Sequence, residues 1–361
     1  MNAPSPKLIF LCTFLFLASA LITLSIRSSS YHSSFRLHTS LKTHHSSNKY
    51  STLKAVKTQS HSKVAFATFL ASKPDDNPPN DPNTTLPDPN DNDDGYFLSA
   101  RVLAYQLLHS PTAGTNGTIP FLILVTPDVS ERKRATLAYE GATIVPVEKL
   151  NASWVHPGAD RWKDVLSKLR LFELTEWTKI CFLDADTLVT KRIDGVFWDE
   201  ATTVQPVLER AGERKDDEAE LPRTYSFASH PDMFGYDHAV PPTSPESSYL
   251  NCGFFVFQPS RVLFEYYVSL LGLEGRFDPT FPEQNLFNYA HRMEGNMPWR
   301  HLWYGWNMNW PTSRDLEGGA RSFHAKYWDG DPTHDEELKK IWWAQRWEME
   351  GYWRARREIE G

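Results

Sequence analysis

Residues Lys179–Thr187 read KICFLDADT, and no other run in the chain says as much about its fold and chemistry. The first five residues form a short apolar run, which predicts a buried strand. Asp184 and Asp186 follow directly, and in an extended chain residues two positions apart point to the same side. The run therefore predicts a strand that brings two carboxylates to one point at its carboxyl end.

Short apolar runs alternate with helical spacing on both sides of this strand. Strands are predicted at Lys63–Ala71, Phe121–Val125, Ala142–Val147, Lys179–Leu183, Tyr225–Ala228 and Phe254–Phe257. Helices are predicted at Tyr96–His109, Glu131–Glu140, Arg161–Trp177, Arg261–Leu271 and Glu283–Arg292. This order predicts an α/β fold with a mostly parallel central sheet and helices on both faces. Ligands of such sheets bind at the carboxyl ends of the strands, where the two aspartates lie.

Length and composition exclude several classes of protein. The chain has 361 residues, 40% of them hydrophobic and 23% charged, which is enough apolar material for a folded core. A net charge of −7 argues against a nucleic-acid partner, because such proteins neutralise phosphates with Lys and Arg. Three cysteines exclude a disulfide scaffold. Cys181 and Cys252 could form one bridge, but we expect both to be free, since buried thiols pack well as small hydrophobic groups.

The amino-terminal region predicts a membrane anchor. Residues 8–26 (LIFLCTFLFLASALITLSI) form a charge-free apolar run long enough to span a bilayer as a helix, behind a short cytosolic tail at 1–7. The alternative is a cleaved signal peptide, because Ala18–Ala20 has the small residues of a cleavage site. We expect the anchor, since the apolar run continues beyond Ala20. Residues 27–62 are basic and rich in Ser and His, which predicts a disordered stem.

The body of the chain, residues 63–361, is expected to lie in the lumen of the Golgi or another secretory compartment. The whole would be a single-pass type II membrane protein. Glycosylation sequons at Asn83, Asn116 and Asn151 favour this topology. The basic residues that follow the apolar run favour the opposite topology, by the positive-inside rule.

Three segments of the body have an unusual composition. A Pro/Asn/Asp-rich insertion at 74–94 predicts a disordered, solvent-exposed loop, and Glu209–Glu220 predicts a charged loop or an exposed helix. The last quarter of the chain is rich in Trp. For the helically spaced Trp342, Trp343 and Trp347 we expect packing in a core rather than stacking on a sugar. The stretch Trp347–Gly361 predicts a charged amphipathic helix.

The aspartate pair predicts a site for a metal and a diphosphate. Mg²⁺ and Mn²⁺ prefer carboxylate oxygens and keep positions open for substrate phosphates. Two exposed turn aspartates would be the alternative, but an apolar strand leads straight into them. The hydrophobic-D-x-D-x-T pattern also resembles the nucleophile loop of haloacid-dehalogenase-type phosphatases. That loop normally follows the first strand of its fold, whereas several strands and helices precede Asp184, which argues against a phosphatase.

Four blocks of the sequence, in the same order, resemble glycosyltransferase family 8, the group of glycogenin and galactinol synthase. They are Lys168–Arg170 with Asp184–Val189 and Ile193–Phe197, then Asn251–Ser260 (NCGFFVFQPS), Pro282–Asn288 (PEQNLFN) and Phe323–Trp328 (FHAKYW). The resemblance extends from about Lys63 to Trp328. It implies a single GT-A type, Rossmann-like nucleotide-diphospho-sugar transferase domain over residues 63–361.

The resemblance also implies roles for individual residues. Asp184, Asp186 and His324 would hold a metal ion, manganese first and magnesium as the alternative. The donor-binding residues would be Phe69, Ala71, Ser72 and Tyr96 around the uridine, Lys168 and Lys326 as cations, Asp184, Ala185 and Asp186 at the metal, and Asn251, Glu283, Gln284 and Asn307 at the sugar. Of these, the catalytic residues would be Lys168, Asp186, Gln284 and Lys326.

Two departures from the family pattern bear on these assignments. The insertion at 74–94 interrupts the nucleotide-binding loop before Tyr96, and Tyr327 stands where the family often has proline. The expected activity is metal-dependent transfer of a hexose or N-acetylhexosamine, with retention, from a UDP-sugar to a hydroxyl of a glycan or glycoconjugate. The alternative is a membrane-tethered carbohydrate-binding or scaffold protein of the same fold without turnover. The intact Asp184 and Asp186 favour the enzyme.

Overall fold

The computed structural model describes residues 63–72, 94–210, 213–242 and 247–360. The predicted tail at 1–7, anchor at 8–26 and stem at 27–62 lie outside the described residues, as does nearly all of the insertion at 74–94. Among the helices of the described ranges, none is both long and apolar enough to cross a membrane.

The strands of the described residues are numbered along the chain. They are β1 (Val64–Leu70), β2 (Phe121–Val125), β3 (Thr143–Pro146), β4 (Lys179–Leu183), β5 (Thr187–Val189), β6 (Gln205–Pro206), β7 (Thr224–Tyr225), β8 (Phe227–Pro231), β9 (Leu250–Phe257), β10 (Arg300–His301), β11 (Met308–Asn309) and β12 (Ser322–His324). Seven of them form the central sheet, in the order β10-β8-β9-β4-β1-β2-β3.

Neighbouring strands of the central sheet are parallel except at β9. This strand runs antiparallel to both β4 and β8, whereas the other pairings are parallel. The predicted α/β fold with a mostly parallel central sheet is confirmed. Because β9 is antiparallel, its first residues lie at the same edge of the sheet as the last residues of β4.

Both faces of the sheet are buried. Alternate residues of a strand point to opposite faces, so Ala65 of β1 packs in one core cluster and Phe66 in the other. Cys252 belongs to the first cluster and Cys181 to the second, and both are free thiols, as expected. Parallel strands covered on both sides form continuous apolar runs in the sequence, which is why the pattern locates them closely.

The helices are numbered in the same way. They are α1 (Gly95–Leu108), α2 (Glu131–Tyr139), α3 (Arg261–Leu271), α4 (Pro282–Ala290), α5 (Ser313–Glu317) and α6 (Glu336–Glu360). The α-helix predicted over Arg161–Trp177 is wrong in type, because this segment contains two 3₁₀-helices, Asp160–Trp162 and Val165–Glu173. Nearly every residue of Val165–Glu173 is buried, so contact with the core determines the backbone here rather than helical spacing.

Two charged residues are more deeply buried than the sequence pattern suggested. Asp94, assigned to the insertion, is the buried N-cap of α1; its carboxylate accepts from the Phe97 N–H and pairs with Lys133 at 2.6 Å. Glu218, predicted on an exposed charged segment, is buried and pairs with Arg276 at 3.0 Å. Each carboxylate is tolerated because a cation and hydrogen bonds compensate its burial.

Helix α6 packs on a third core cluster together with residues of α1 and β12. Trp342 and Trp353 are fully buried there, which confirms core packing for Trp342. Trp347, one turn further along the same helix than Trp343, is 61% exposed, so the core-packing prediction is wrong for that residue. The predicted carboxyl-terminal helix is present, and its buried apolar residues pack in one cluster with Leu188 of β5, Met308 of β11 and Phe323 of β12.

Candidate active site

The two aspartates lie at the carboxyl edge of the central sheet, where β4 ends. Because β9 runs beside β4 in the opposite direction, Asn251 and Gly253 near its start lie at the same edge. The Asp184 N–H donates to the carbonyl of Gly253 at 2.8 Å. The predicted D-x-D and N-C-G motifs are therefore brought together by backbone hydrogen bonds.

His324 reaches the aspartates through a small second sheet. Strand β12 pairs antiparallel with β5, and the register places His324 opposite Thr187, the residue after Asp186. The Ala325 N–H donates to the carbonyl of Asp186 at 3.1 Å. This pairing places His324 beside two aspartates that precede it by about 140 residues in the sequence.

Asp184, Asp186 and His324 form a cluster that fits a divalent cation. The Nε2 atom of His324 lies 3.0 Å from Oδ1 of Asp186 and 3.7 Å from Oδ2 of Asp184. One ligand atom from each of the three residues lies within 4.8 Å of the others. Ligands about 2.2 Å from a shared ion are separated by up to about 4.4 Å, so small movements would complete the site. A set dominated by carboxylate oxygen suits Mn²⁺ or Mg²⁺.

Each aspartate uses its second oxygen for a lysine. The Nζ atom of Lys168 lies 2.8 Å from Oδ1 of Asp184, and the Nζ atom of Lys326 lies 3.2 Å from Oδ2 of Asp186. Lys168 is buried and also pairs with Glu283 at 2.9 Å. An ammonium group has three donors, so Lys168 keeps one beyond these two pairs. Its first role in this structure is to hold two carboxylates in place.

The charges of the cluster shift one another's protonation. Burial would raise the pKa of Asp186, but His324 and Lys326 outweigh burial and hold that pKa well below its usual value. Burial likewise lowers the pKa of His324, and the Asp186 carboxylate more than offsets it, so the pKa is raised. The charge of Asp186 raises the pKa of Lys326 above its usual value. The cluster keeps Asp186 ionised and, without a metal, favours a protonated His324.

The cluster lines a cavity of about 700 Å³, which is in the range of small-molecule sites. The residues predicted around the uridine line it as well: Phe69, Ala71, Ser72 and Tyr96. The ring of Tyr96 packs edge-to-face on Trp328, with centroids 5.2 Å apart. Burial raises the pKa of Tyr96 to about 12, so its hydroxyl stays protonated.

Asp232, which sequence reasoning missed, joins the predicted sugar-binding residues. Its Oδ2 accepts hydrogen bonds from Asn251 at 3.0 Å and from Gln284 at 3.4 Å. Gln284 in turn accepts from the Cys252 N–H at 3.0 Å. Asp232 directly follows β8, and a polar residue in that position is a candidate site residue. It was missed because this strand was predicted to end at Ala228, whereas it extends to Pro231.

Asn307 is the one predicted site residue that the structure does not bring to this cavity. It lines a separate cavity of about 150 Å³, and its Oδ1 accepts from the Ser322 hydroxyl at 2.9 Å. Asn309, two residues further on, lines both this small cavity and the main one. Its Oδ1 accepts from the Met233 N–H at 2.9 Å. The pairing of β11 with β12 places Asn309 opposite His324, and this determines which asparagine reaches the main cavity. The local sequence does not reveal that pairing.

Arg161 is a second lining residue that sequence reasoning missed. Its guanidinium lies 4.6 Å from the ring centroid of Trp162, which packs on Phe281 at 5.0 Å. Lys168 and Lys326 are ion-paired with carboxylates, whereas within the described part of the chain no salt bridge engages Arg161. A guanidinium can bind a phosphate through two parallel hydrogen bonds, so Arg161 is a candidate anion ligand.

Two glycines make room for side chains of the site. A Cβ at Gly253 would lie 2.2 Å from Cε1 of His324, and a Cβ at Gly95 would lie 1.9 Å from Nε1 of Trp328. Neither distance is compatible with van der Waals contact. The N-C-G block therefore needs a glycine at position 253, because the ring of His324 occupies the space that a side chain would need.

Comparisons with known proteins give the chain several relatives. No protein-family model matches it. It is 28% identical over 291 residues to an uncharacterised protein of Schizosaccharomyces pombe, across 71% of this chain and 74% of that protein. It is 31% identical over 208 residues to galactinol synthase 1 of Solanum lycopersicum, across 50% of this chain and 57% of that protein. It is also similar to the crystal structure of galactosyltransferase LgtC in complex with donor and acceptor sugar analogues. The match has 13% identity and a TM-score of 0.43, and it covers 78% of this chain and 95% of that chain.

The site and the sequence relatives together define the class of the protein. It has an α/β fold whose mostly parallel sheet carries two aspartates and a histidine in one cluster at its carboxyl edge. The chain is a glycosyltransferase that resembles family 8.

Proposed function

We propose that the protein transfers a hexosyl or N-acetylhexosaminyl group from a UDP-sugar to a hydroxyl of a glycan or glycoconjugate. Its cofactor in this proposal is a divalent cation, Mn²⁺ first and Mg²⁺ second. The observation that carries the proposal is the cluster of Asp184, Asp186 and His324, whose ligand atoms lie within 4.8 Å of one another on a cavity of about 700 Å³. Two lysines and an arginine line the same cavity, as an anionic donor requires.

The order of the strands arranges the parts of the donor. Phe69 lies on β1, Asp184 follows the neighbouring strand β4, Asn251 begins β9, and Asp232 follows β8. Strands lie about 4.8 Å apart, so the three steps from β1 to β8 span about 14 Å. A uridine on the β1 side would place its diphosphate at β4 and its sugar at β9. The acceptor then enters from the β8 side.

The residues of the site stabilise the leaving group. When bound, the cation would neutralise charge on the diphosphate as UDP departs. Lys326, held by its ion pair with Asp186, and Arg161 add positive charge on the same cavity. Lys168 holds Asp184 and Glu283 in place through its two ion pairs. Groups fixed in advance stabilise developing charge without reorganising at the moment of reaction.

The carboxylates of the cavity favour direct transfer over a covalent intermediate. Each of those that line it already binds at least one donor: Asp94, Asp184, Asp186, Asp232 and Glu283. A covalent glycosyl intermediate needs a free carboxylate at the anomeric carbon. The engaged carboxylates support what the family resemblance implies, namely retention by front-side attack, with the leaving phosphate accepting the proton of the acceptor hydroxyl.

We also propose that the body of the chain is lumenal, in the Golgi or another secretory compartment, behind an anchor at residues 8–26. Two of the three sequon asparagines, Asn116 and Asn151, fall in the described residues and are exposed, which supports this topology. Treatment of the full chain from a eukaryotic host with an N-glycosidase should then lower its apparent mass. An unchanged mass would count against the lumenal topology.

The proposed activity is tested with the full chain purified in mild detergent. UDP release is measured from UDP-glucose, UDP-galactose and UDP-N-acetylglucosamine, with Mn²⁺ or with EDTA. We expect Mn²⁺-dependent release from at least one donor, loss of release in Asp186→Asn, and full release in Asp216→Asn, which alters an exposed aspartate outside the cavity. No release from any donor, together with no Mn²⁺-dependent stabilisation by UDP, would contradict the proposal and favour the carbohydrate-binding scaffold.

A further inference from the structure

The β8 end of the cavity is not occupied by the donor as placed above. Asp232, Tyr236, Asn309 and Trp310 line this end. A role for these residues in binding the second substrate of the same reaction rests on the proposed function.

Trp310 is held firmly although its side chain is not in the core. Its Nε1 donates to Oδ1 of Asp232 at 3.1 Å, and its carbonyl oxygen lies 3.0 Å from Nε2 of His238. The ring of Tyr236 packs edge-to-face against the indole, with centroids 5.2 Å apart. Trp310 is nevertheless 40% exposed and lines the cavity. The result is a fixed aromatic surface that protein groups leave partly uncovered.

The backbone on either side of this surface is strained. Phe234 (φ 56°) and Trp310 (φ 54°) are the non-glycine residues of the described chain with positive φ. Bulky residues rarely adopt this conformation, and it persists where surrounding contacts impose it, often at binding sites. The Phe234 N–H donates to Oδ1 of Asp232 at 3.0 Å, the same oxygen that holds Trp310. One carboxylate therefore maintains both strained aromatic residues.

The same carboxylate also connects this end to the donor-sugar residues. While Oδ1 of Asp232 binds Phe234 and Trp310, its Oδ2 accepts from Asn251 at 3.0 Å and from Gln284 at 3.4 Å. Both oxygens are used by protein groups, so Asp232 is a positioning residue. It sets the distance between the aromatic surface and the side chains expected at the donor sugar.

We propose that Trp310 is the floor of the acceptor subsite and takes a saccharide ring whose apolar C–H face stacks on the indole. An exposed aromatic surface with polar groups at its edge suits a ring with an apolar face and a hydroxylated rim. Phe234, 66% exposed, packs its ring against Tyr249 with centroids 5.7 Å apart and does not line the cavity. The acceptor hydroxyl then faces the donor sugar at Asn251 and Gln284.

The test measures the KM for methyl and p-nitrophenyl hexopyranosides at saturating UDP-sugar, using the full chain. We expect Trp310→Ala to raise that KM about tenfold, or about 1.4 kcal/mol, while the KM for the UDP-sugar stays within about twofold. Trp310→Phe should restore most of the affinity. Trp347→Ala, which removes an exposed tryptophan of α6 outside the cavity, should leave both constants at the wild-type value.

Binding is measured in parallel by saturation-transfer NMR, with the same glycosides and protein loaded with Mn²⁺ and UDP. Loss of the glycoside signal in Trp310→Ala supports the subsite even where no glycoside accepts sugar. The acceptor subsite is overturned if Trp310→Ala and wild type have equal KM for the glycosides and bind them equally. It is also overturned if the wild-type protein binds UDP but no glycoside. A wild-type protein that neither binds UDP nor releases it contradicts the proposed function instead.

Discussion

His324 and Asp186 are joined through a single carboxylate oxygen: Nε2 of the histidine lies 3.0 Å from Oδ1 of the aspartate. The other oxygen of the same carboxylate lies 3.2 Å from Nζ of Lys326. A cation bound by His324 and Asp186 would replace the first contact and leave the second intact. Metal binding at this site is therefore an exchange of a proton on His324 for a metal ion.

Mn²⁺ should bind more tightly as the pH rises. Because the pKa of His324 is raised by Asp186, the metal-free protein carries a proton there that the metal must displace. We expect the apparent affinity for Mn²⁺ to fall about tenfold for each pH unit below that raised pKa. Calorimetric titration between about pH 6 and pH 8.5 measures the slope. A pH-independent affinity would show that His324 is not a ligand.

Gly253→Ala should disable the metal site without unfolding the protein. The new Cβ would lie 2.2 Å from the His324 ring, which must move away from the aspartates. We expect Mn²⁺ affinity to fall at least about tenfold, since one of the ligands is displaced. Gly351→Ala is the matched control, because that glycine lies in α6 with open space around its Cβ position.

The control should keep full metal affinity and gain up to about 1 kcal/mol of stability, the helix preference of alanine over glycine. Metal titration and thermal unfolding of both variants check the pair. Unchanged Mn²⁺ affinity in Gly253→Ala would mean that metal binding does not require His324 in its present position.

Lys168→Met should destabilise the protein strongly. Lys168 is buried between Asp184 and Glu283, at 2.8 and 2.9 Å, and its removal leaves two carboxylates without their cation. Breaking a buried pair in this way costs about 3–5 kcal/mol. Denaturant unfolding in the absence of metal measures the loss, and adding Glu283→Gln should recover part of it. A loss below about 1 kcal/mol would show that the pairs contribute little.

Stability should fall in mild acid because of His291. This residue is buried with Nδ1 2.8 Å from the Met297 carbonyl, and burial lowers its pKa to about 4. An unfolded histidine has a pKa of about 6.5, so between about pH 6.5 and pH 4 the unfolded state binds a proton that the folded state lacks. The free energy of unfolding should therefore fall by about 1–2 kcal/mol between pH 7 and pH 5 from this residue.

Denaturant unfolding at the two pH values measures this fall. His230 is also buried and its pKa is lowered to about 3, so it contributes with the same sign. His291→Gln should reduce the pH dependence, whatever its own effect on stability. A variant with the full wild-type slope would rule out His291 as the source.

Arg161→Gln should weaken the binding of UDP but not of uridine. Arg161 lines the cavity without a carboxylate partner among the described residues, so its charge is available to a diphosphate. We expect about a tenfold loss for UDP with Mn²⁺, the size of one charge-assisted hydrogen-bonding contact, and no change for uridine. Lys163→Gln, an exposed cation two residues away, is the control and should bind both as wild type does. Equal losses for UDP and uridine would point to a structural role.

The sequence predicts the sheet and the aspartate pair well for a physical reason. Strands buried on both faces, such as Phe121–Val125 and Lys179–Leu183, are continuous apolar runs with sharp ends, and both were predicted at their observed bounds. Asp184 and Asp186 then follow from the position of the strand end. The partner of these aspartates, His324, was located by the family resemblance, because thirteen histidines give no local signal.

The rest of the site depends on tertiary packing that local patterns do not contain. Whether Asn307 or Asn309 faces the cavity depends on the pairing of β11 with β12. Asp232 became visible only once β8 was seen to extend to Pro231. Arg161 lies on the 3₁₀-helix Asp160–Trp162, none of whose residues is buried, so the helical spacing predicted over Arg161–Trp177 did not indicate that its side chain lines the cavity.

The metal-dependent donor site is tested most directly by titrating UDP into the full chain with Mn²⁺ and with EDTA, for wild type and Asp186→Asn. If Asp184, Asp186 and His324 hold the cation that binds the diphosphate, wild type binds UDP at least about a hundredfold more tightly with Mn²⁺, and the variant loses that difference. Equal affinity for UDP with Mn²⁺ and with EDTA in wild type, or a Mn²⁺ effect that persists in Asp186→Asn, would contradict the assignment of this site.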